Sequence, residues 1–261
     1  IRSIDIAKEF RKRGKTVVLG GYMASIMAKE ATKYCDAVVI GDAELVWKDL
    51  IHDFENGSLK RIYENNLERG YFSTPLPRFD LIINKRIGDF LPVQAGRGCP
   101  NTCSFCSIAC LYKGKYVKKQ LQEVIRDIIQ VKKLGFNKFL LLDDNIFSDR
   151  NYLFNLLKEI KNLNMEWMSQ CDIRIGMDDE ILKALADSGC TTLSFGLESI
   201  SRESLIEMNK GWANPAKYPE LIKNIQSYGI DVSTEMVVGG EGDTLESIKM
   251  TKSFIEDNKI S

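Results

Sequence analysis

Residues 96–106 read GRGCPNTCSFC, and the three cysteines in this run, Cys99, Cys103 and Cys106, are spaced as C-x3-C-x2-C. Thiolates this close together in the chain can reach one metal centre, and soft sulfur ligands select zinc, copper(I) or an iron–sulfur cluster. A closed [4Fe–4S] site takes four thiolates. Three cysteines would therefore leave one iron open for another ligand, and an open position distinguishes a reactive metal site from a structural one.

The same cysteines allow other interpretations. A zinc site would need a distant fourth ligand, and the only histidine, His52, lies far back in a helix-like segment. Cys110 follows Cys106 by four residues and could close the site. A disulfide framework is disfavoured because the number of cysteines is odd and a chain of this size does not need such cross-links. The remaining cysteines lie in or beside apolar segments and are expected to be small buried residues, namely Cys35, Cys171 and Cys190.

The composition is that of an ordinary globular protein. The chain has 261 residues, 44% of them hydrophobic and 28% charged, and its formal net charge is zero. This balance gives no reason to expect a nucleic-acid partner, and no apolar run is long enough to span a bilayer. We expect a cytoplasmic protein. Because the sequence starts at Ile1 and a strand is expected to begin at Lys259, we also expect further segments beyond both ends.

Outward from the cysteines, strand-like runs alternate with amphipathic helices. Strands are predicted at residues 91–95, 138–144, 165–173, 191–199 and 230–238. Apolar residues at helical spacing predict that the first helix includes Val117, and Gly135 can end that helix. Ser148 or Asp149 can cap the next helix, and Asp178 the one after it. The fold class is therefore α/β, with a partial (βα)6 barrel similar to a TIM barrel over residues 89–261 and chemistry at the carboxyl ends of the strands.

The first part of the chain has a different pattern. Strands are predicted at residues 15–21 and 36–42, each followed by a turn and a helix. Two such units cannot cover both faces of a parallel sheet, so we expect residues 1–58 to be the C-terminal part of a Rossmann-like domain. Residues 56–86 contain Gly57, Pro75 and Pro77 among polar residues. We therefore predict that residues 59–88 are a linker between the two domains.

The C-x3-C-x2-C run resembles the signature of the radical S-adenosylmethionine (SAM) superfamily. The resemblance implies a [4Fe–4S] cluster on Cys99, Cys103 and Cys106, with SAM on the open iron. It also implies that the reduced cluster cleaves SAM to a 5′-deoxyadenosyl radical, with an electron donor such as flavodoxin or ferredoxin and a small-molecule or peptide substrate. Cofactors of this kind carry the difficult chemistry, and the protein supplies binding and orientation.

The resemblance extends to SAM-binding positions at the strand ends. Many members carry Gly-Gly-Glu after the second strand, where this chain has Leu-Asp-Asp-Asn, so Asp143 or Asp144 could bind the SAM amino group, or could form a cap or turn. Arg174 could pair with the SAM carboxylate or remain solvated. The other positions implied to contact SAM are Phe105, Glu198, Ser199, Val238 and Gly239.

The N-terminal segment resembles the last part of a cobalamin-binding domain. The similar residues follow the two predicted strands, and those implied to contact cobalamin are Gly20, Gly21, Gly41 and Glu44. The Asp-x-His-x-x-Gly motif that supplies a lower cobalt ligand in many cobalamin proteins does not occur in the sequence, and His52 is expected to be a surface helix residue.

Together, these resemblances imply a cobalamin-dependent radical SAM enzyme that methylates an unactivated carbon. Three alternatives stay open. One is a radical SAM cyclase or oxidase of the same architecture, and another is an enzyme of the methylthiotransferase type. The third is a non-catalytic iron–sulfur or zinc scaffold.

Overall fold

The N-terminal unit is built on a parallel sheet of three short strands. The computed structural model describes residues 2–65, 71–85, 88–240 and 243–260. The sheet has the order β1-β2-β3, and its central strand is buried. The elements are α1 (Arg2–Lys12), β1 (Val18–Leu19), α2 (Tyr22–Ile26), α3 (Ala28–Ala31), β2 (Ala37–Ile40), α4 (Trp47–Glu55) and β3 (Ile62–Glu64).

Strand β3 lies within residues 59–88, where the sequence predicts a linker. It pairs in parallel with β2, and its central residue Tyr63 is buried while Ile62 and Glu64 are exposed. A strand with one buried side chain is too short to show a periodic pattern, which explains why the sequence did not reveal it. His52 is an exposed residue of α4, as expected.

A small second sheet carries the cysteine run. Its central strand pairs in parallel with β4 and antiparallel with β6, which directly precedes Cys99. Val117 lies in this central strand, so the prediction that it belongs to a helix is wrong. Its side chain packs against Phe72 and Tyr112 instead. The elements of this part of the chain are β4 (Tyr71–Phe72), β5 (Phe90–Val93), β6 (Gly96–Gly98), α5 (Ser107–Tyr112) and β7 (Tyr116–Lys119), of which β5 belongs to the large sheet.

The largest sheet is parallel throughout and has the order β11-β10-β9-β8-β5 among the described residues. Helices connect its strands, so the five predicted βα units are confirmed. Lys259, where a sixth strand is predicted, lies in a turn. The elements are α6 (Leu121–Lys133), β8 (Lys138–Leu141), α7 (Arg150–Lys161), β9 (Glu166–Cys171), α8 (Asp179–Asp187), β10 (Cys190–Glu198), α9 (Arg202–Glu207), α10 (Tyr218–Ser227), β11 (Asp231–Met236) and α11 (Leu245–Asp257).

The large sheet lies in one continuous hydrophobic core, and aspartates cap two of the helices that connect its strands. The Asp149 carboxylate accepts a hydrogen bond from the Tyr152 amide at the start of α7, and Asp178 caps α8 in the same way. The core contains the parallel pair Phe139 and Trp167, with ring centroids 6.0 Å apart. Because all strands of the sheet are parallel, their carboxyl ends meet at one edge, and the cysteine run lies there. In the part of the chain that the structure describes, no helix is long and apolar enough to cross a bilayer.

Candidate functional site

A cavity of about 180 Å³ lies at the carboxyl edge of the large sheet, and we call it the cysteine cavity. Residues of the cysteine run, of the strand ends and of the turn after α9 line it. The cavity thus brings together two parts of the chain that the sequence predicted to meet. Its lining residues are Cys99, Asn101, Cys103, Phe105, Cys106, Ile108, Asp144, Asn145, Gln170, Cys171, Asp172, Gly196, Glu198, Lys210, Trp212 and Glu235.

The three cysteines are partly buried in this cavity, whereas Cys110 is exposed in α5 and is not among the described lining residues. No group of three or more His, Cys, Asp or Glu residues in the described ranges is arranged around a single metal ion. Structural zinc requires four ligands that converge on one ion. The cysteines of a [4Fe–4S] cluster bind different irons, so they need not converge.

Two aspartates that follow β8 accept hydrogen bonds from the segment that leads into the cysteines and from β7. Asp143 Oδ1 accepts a hydrogen bond of 2.8 Å from the Ala95 amide, and its Oδ2 accepts one of 2.9 Å from the Tyr116 hydroxyl. Asp144 Oδ2 accepts one of 2.6 Å from the Gly98 amide. Burial raises the pKa of Asp143 to about 6. Of the two aspartates, Asp144 lines the cysteine cavity, and Asp143 lies behind it.

Gly98 has a geometric reason to be glycine. Its φ is +85°, and a Cβ at this position would lie 2.2 Å from the Lys115 carbonyl oxygen. A residue with a side chain would be strained in this conformation and would displace Lys115, which directly precedes β7. The glycine before Cys99 is therefore required by the approach of two strands.

A polar network joins Cys99 to the end of β9. The buried Asn145 amide donates to Asp172 Oδ2 at 3.0 Å and to Cys99 Sγ at 3.6 Å. Arg174 donates to Asp172 at 2.7 Å and to Asn101 Oδ1 at 3.2 Å, and its guanidinium lies 4.2 Å from the centre of the Trp212 ring. Arg174 is thus engaged by protein groups, and it is not among the described residues that line the cysteine cavity.

Glu198 and Lys210 form a buried ion pair in the wall of the cysteine cavity. The Lys210 ammonium lies 3.0 Å from Glu198 Oε1 and also donates to the Gly196 carbonyl. Glu198 has a φ of +63°, which is unusual for a residue with a side chain. A Cβ on Gly196 would lie 2.4 Å from Glu198 Oε1, so glycine leaves the space that the pair occupies.

Burial raises the pKa of the Cys99 and Cys103 thiols, because the charged thiolate is poorly solvated there. Hydrogen bonds from the Asn101 backbone and the Asn145 amide oppose this increase at Cys99. The Lys210 ammonium opposes it at Cys103. The surroundings therefore contain groups that stabilise thiolates, as metal binding requires.

Three further residues that the resemblance implied as SAM contacts lie outside the described lining of the cysteine cavity. Ser199 Oγ accepts a hydrogen bond from the Ser201 amide at 3.0 Å. Val238 is exposed, and the Gly239 amide donates to Asp243 Oδ2 at 2.7 Å. Their roles in binding SAM stay predictions.

Sequence analysis did not single out Lys210, Asn145 or Trp212. Lys210 follows a short helix in the run Asn-Lys-Gly-Trp, which has the features of a plain turn. Its partner is twelve residues earlier on another element, so no local spacing linked the two. Asn145 follows the two aspartates directly, and that proximity was the available signal. Trp212 Nε1 is a buried donor with no partner in the described part of the chain.

A second cavity, of about 430 Å³, lies at the carboxyl end of the first sheet, and we call it the N-terminal cavity. The four residues that the resemblance implied for cobalamin, Gly20, Gly21, Gly41 and Glu44, all line it. Residues around the cysteine run complete its wall on the far side. The remaining lining residues are Val18, Tyr22, Val39, Asp42, Ala43, Trp47, Gln94, Arg97, Leu111 and Tyr112.

Arg97, which directly precedes Gly98 and Cys99, connects the two units. Its guanidinium lies 3.0 Å from Asp42 and 2.7 Å from Glu44, and it stacks 4.4 Å from the centre of the Phe72 ring. The Tyr112 hydroxyl donates to Asp42 Oδ1 at 3.0 Å. The Arg97 guanidinium donates to both carboxylate oxygens of Glu44, at 3.1 and 2.7 Å, and such bidentate pairing fixes orientation as well as distance. The cysteine run is therefore tied to the loops that border the N-terminal cavity.

Comparison with known proteins identifies several relatives. The family model described as the radical SAM superfamily matches residues 93–255. The chain is 31% identical over 279 residues to the bacteriochlorophyllide d C-8(2)-methyltransferase of Chlorobaculum tepidum, covering 99% of this chain and 61% of that protein. It is 28% identical over 263 residues to the C-12(1)-methyltransferase of the same organism, covering 98% and 58%. The chain thus spans less than two thirds of the length of these relatives.

Two solved structures have a similar fold. One is the radical SAM methyltransferase TsrM from Kitasatospora setae with cobalamin and a [4Fe–4S] cluster bound (TM-score 0.80, 19% identity, 99% of this chain and 58% of that chain). The other is the cobalamin-dependent SAM radical enzyme OxsB with aqua-cobalamin and SAM bound (TM-score 0.76, 14% identity, 97% of this chain and 41% of that chain). At these identities the comparison shows a common fold.

Proposed function

Because the chain belongs to the radical SAM superfamily, we propose that it is the core of a cobalamin-dependent methyltransferase that acts on an unactivated carbon of a small molecule. The observation that carries this proposal is that residues close to the three cysteines in the chain line the N-terminal cavity. These residues are Gln94, Arg97 and Tyr112. Ligands in the two cavities would therefore lie side by side. The names of the curated relatives favour methyl transfer over the other reactions.

The cysteine cavity has the donor set that a [4Fe–4S] cluster needs. Cys99, Cys103 and Cys106 would hold the cluster, since all three thiols line one partly enclosed space and Cys110 lies outside it. Asn145 would donate to the sulfur of Cys99, as it does here. When bound, the reduced cluster supplies the electron that cleaves SAM, and the corrinoid supplies the methyl group.

The remaining residues of the cysteine cavity suit SAM. Asp144 and Glu198 present carboxylates that could accept hydrogen bonds from the SAM ammonium group. Phe105 lines the cavity beside the second and third cysteines. The buried Lys210 ammonium gives the same wall a positive charge near the place where a carboxylate would bind. These residues would bind and orient SAM.

The N-terminal cavity suits part of a corrinoid. Glycines that follow β1 and β2 contribute backbone without side chains to the lining of this cavity. Gly21 and Gly41 have positive φ values of 85° and 79°. Its apolar side chains could cover a flat macrocycle, while Asp42 and Glu44 accept hydrogen bonds. The cavity opens to solvent, so a ligand larger than 430 Å³ could extend out of it. In this proposal a low-potential protein such as flavodoxin or ferredoxin reduces the cluster.

The proposal is tested by measuring corrinoid binding. Ala43 lines the N-terminal cavity, so Ala43→Trp would fill the cavity without touching the cysteines. Hydroxocobalamin is titrated into the cluster-loaded protein and followed by absorbance. We expect the unmodified chain to bind it and A43W to bind at least about tenfold more weakly, which is about 1.4 kcal/mol.

The matched control is Leu81→Trp, which adds the same side chain at an exposed position away from both cavities. It should bind hydroxocobalamin like the unmodified chain, and both variants should retain the same iron content. Absence of binding by the unmodified chain, or equal binding by A43W, would remove the basis for a cobalamin-dependent reaction.

A further inference from the structure

We propose that the positive charge of Lys210 raises the reduction potential of the cluster, and that the negative charge of Glu198 limits this effect. The inference rests on the part of the proposed function that places a [4Fe–4S] cluster on the three cysteines. It concerns how readily that cluster accepts an electron, which is separate from what the resulting radical does. Three features of the structure support it.

The first feature is the attachment of the turn after α9 to the cysteine run. The Ser104 amide, next to Cys103, donates to the Met208 carbonyl at 3.0 Å. The Asn209 side-chain amide donates to the Thr102 carbonyl at 2.7 Å and contacts Thr102 Oγ1 at 3.1 Å. Asn209 has a φ of +53°, a conformation that asparagine tolerates better than most residues. Lys210 is therefore held at a fixed position relative to Cys103.

The second feature is burial. Lys210 is 6% exposed and Glu198 is 8% exposed, and both line the same cavity as the cysteines. Charges that are removed from water are weakly screened and act over several ångströms. An ammonium in this wall therefore affects the cluster much more than a surface lysine would.

The third feature is the position of the two charges. The Lys210 ammonium and the Glu198 carboxylate lie 3.0 Å apart, and both residues line the cavity that Cys103 lines. Charges of opposite sign are therefore fixed in one wall beside the cysteines.

Reduction adds one electron, and hence one negative charge, to the cluster. A nearby cation stabilises the reduced form more than the oxidised form, and net charge is one of the factors that set iron–sulfur potentials. Lys210 should therefore raise the potential, and the Glu198 carboxylate should lower it. Because the two form an ion pair, removing both charges should leave the potential close to its original value.

The test is a redox titration of the cluster-loaded full chain in the absence of SAM, with dithionite as reductant and the electron paramagnetic resonance signal of the reduced cluster as readout. Lys210→Met keeps the length of the side chain and removes its charge. At a fixed potential we expect it to lower the ratio of reduced to oxidised cluster about tenfold, which is about 59 mV for a one-electron couple. Glu198→Gln should shift the midpoint potential upward, and the double variant should return toward the original value.

Two controls separate charge from structure. Lys210→Arg keeps the charge and should retain most of the potential, and Lys183→Met removes an exposed lysine remote from the cavity and should change nothing. If K210M fails to fold, the opposite shift expected in E198Q still tests the proposal. Equal midpoints in the original chain, K210M and E198Q would overturn the inference while leaving the proposed function intact. Failure of the original chain to assemble a cluster would overturn both.

Discussion

Replacing Asp143 by asparagine should change how the stability of the protein depends on pH. The Asp143 carboxyl is buried, and its pKa rises from 3.8 to about 6 because the charged form loses its hydration. A carboxyl whose pKa is raised by folding binds its proton more tightly in the folded state. Between the two pKa values the folded state therefore holds more protons than the unfolded state, and stability falls as pH rises.

The magnitude follows from the pKa difference. A difference of about 2, at about 1.4 kcal/mol per pKa unit, makes ionised Asp143 cost about 3 kcal/mol of folding free energy. About 2 kcal/mol of this loss falls between about pH 4.5 and about pH 7.5. Asparagine does not titrate, so Asp143→Asn removes this dependence. Its amide can still contact the Ala95 amide and the Tyr116 hydroxyl through its oxygen and nitrogen.

The assay is urea unfolding of the cluster-free chain across this pH range, with the unmodified protein and D143N compared at each pH. The free energy of unfolding of the unmodified protein should fall by about 2 kcal/mol relative to that of D143N as pH rises. Tyr116→Phe removes a hydrogen bond that lowers the pKa of Asp143, so its loss of stability should continue to higher pH. A constant difference between the unmodified protein and D143N, or one with the opposite slope, would refute the reasoning.

Three further predictions concern stability and are checked by urea or thermal unfolding. Lys119→Met leaves the buried carboxylate of Asp127 with the Arg126 guanidinium as its remaining ion-pair partner among the described residues. It should cost about 1.5–3 kcal/mol, as the loss of a hydrogen bond to a charged group does, and the combined change with Asp127→Leu should recover most of this loss. Recovery of nothing in the double variant would argue against a destabilised buried charge. Asp178→Ala removes the cap of α8 and should cost about 1 kcal/mol, and a loss below the error of the measurement would contradict the capping role. Leu193→Ala opens a cavity in the fully buried centre of β10 and should cost about 2–5 kcal/mol, so a smaller loss would mean that the core collapses around it.

The long elements of the large sheet could be predicted because their residues carry a repeated pattern. Helix α6 buries Val124, Ile128 and Val131 on one face, and β8 has three consecutive apolar residues after Lys138. Asp149 and Asp178 mark helix starts by their chemistry alone. The short strands gave no such signal. Strand β7 has alternating burial over four residues, which is too few to outweigh the helical spacing that begins at Val117.

In the candidate site, too, some residues could be predicted from local sequence and others could not. The cysteines could be found from their spacing in the chain. The acids at the strand ends could be found because each follows a predicted strand. The contacts of Lys210 with Glu198 and of Asn209 with Thr102 arise only from folding, since the second pair is separated by more than a hundred residues. Arg97 similarly meets Asp42 and Glu44 across two units. Residues whose role depends only on contacts with distant parts of the chain cannot be recognised from a single sequence.

Cleavage of SAM at a cluster on the three cysteines is tested most directly by the release of 5′-deoxyadenosine. The cluster-loaded protein is reduced under anaerobic conditions in the presence of SAM, and the product is measured. Cys103→Ser removes a thiol that lines the cysteine cavity, and Cys110→Ser removes an exposed thiol outside its described lining, so the pair is matched. We expect release by the unmodified chain and by C110S, and none by C103S. Equal release by C103S, or no release by an unmodified chain that holds its cluster and binds SAM, would contradict this expectation.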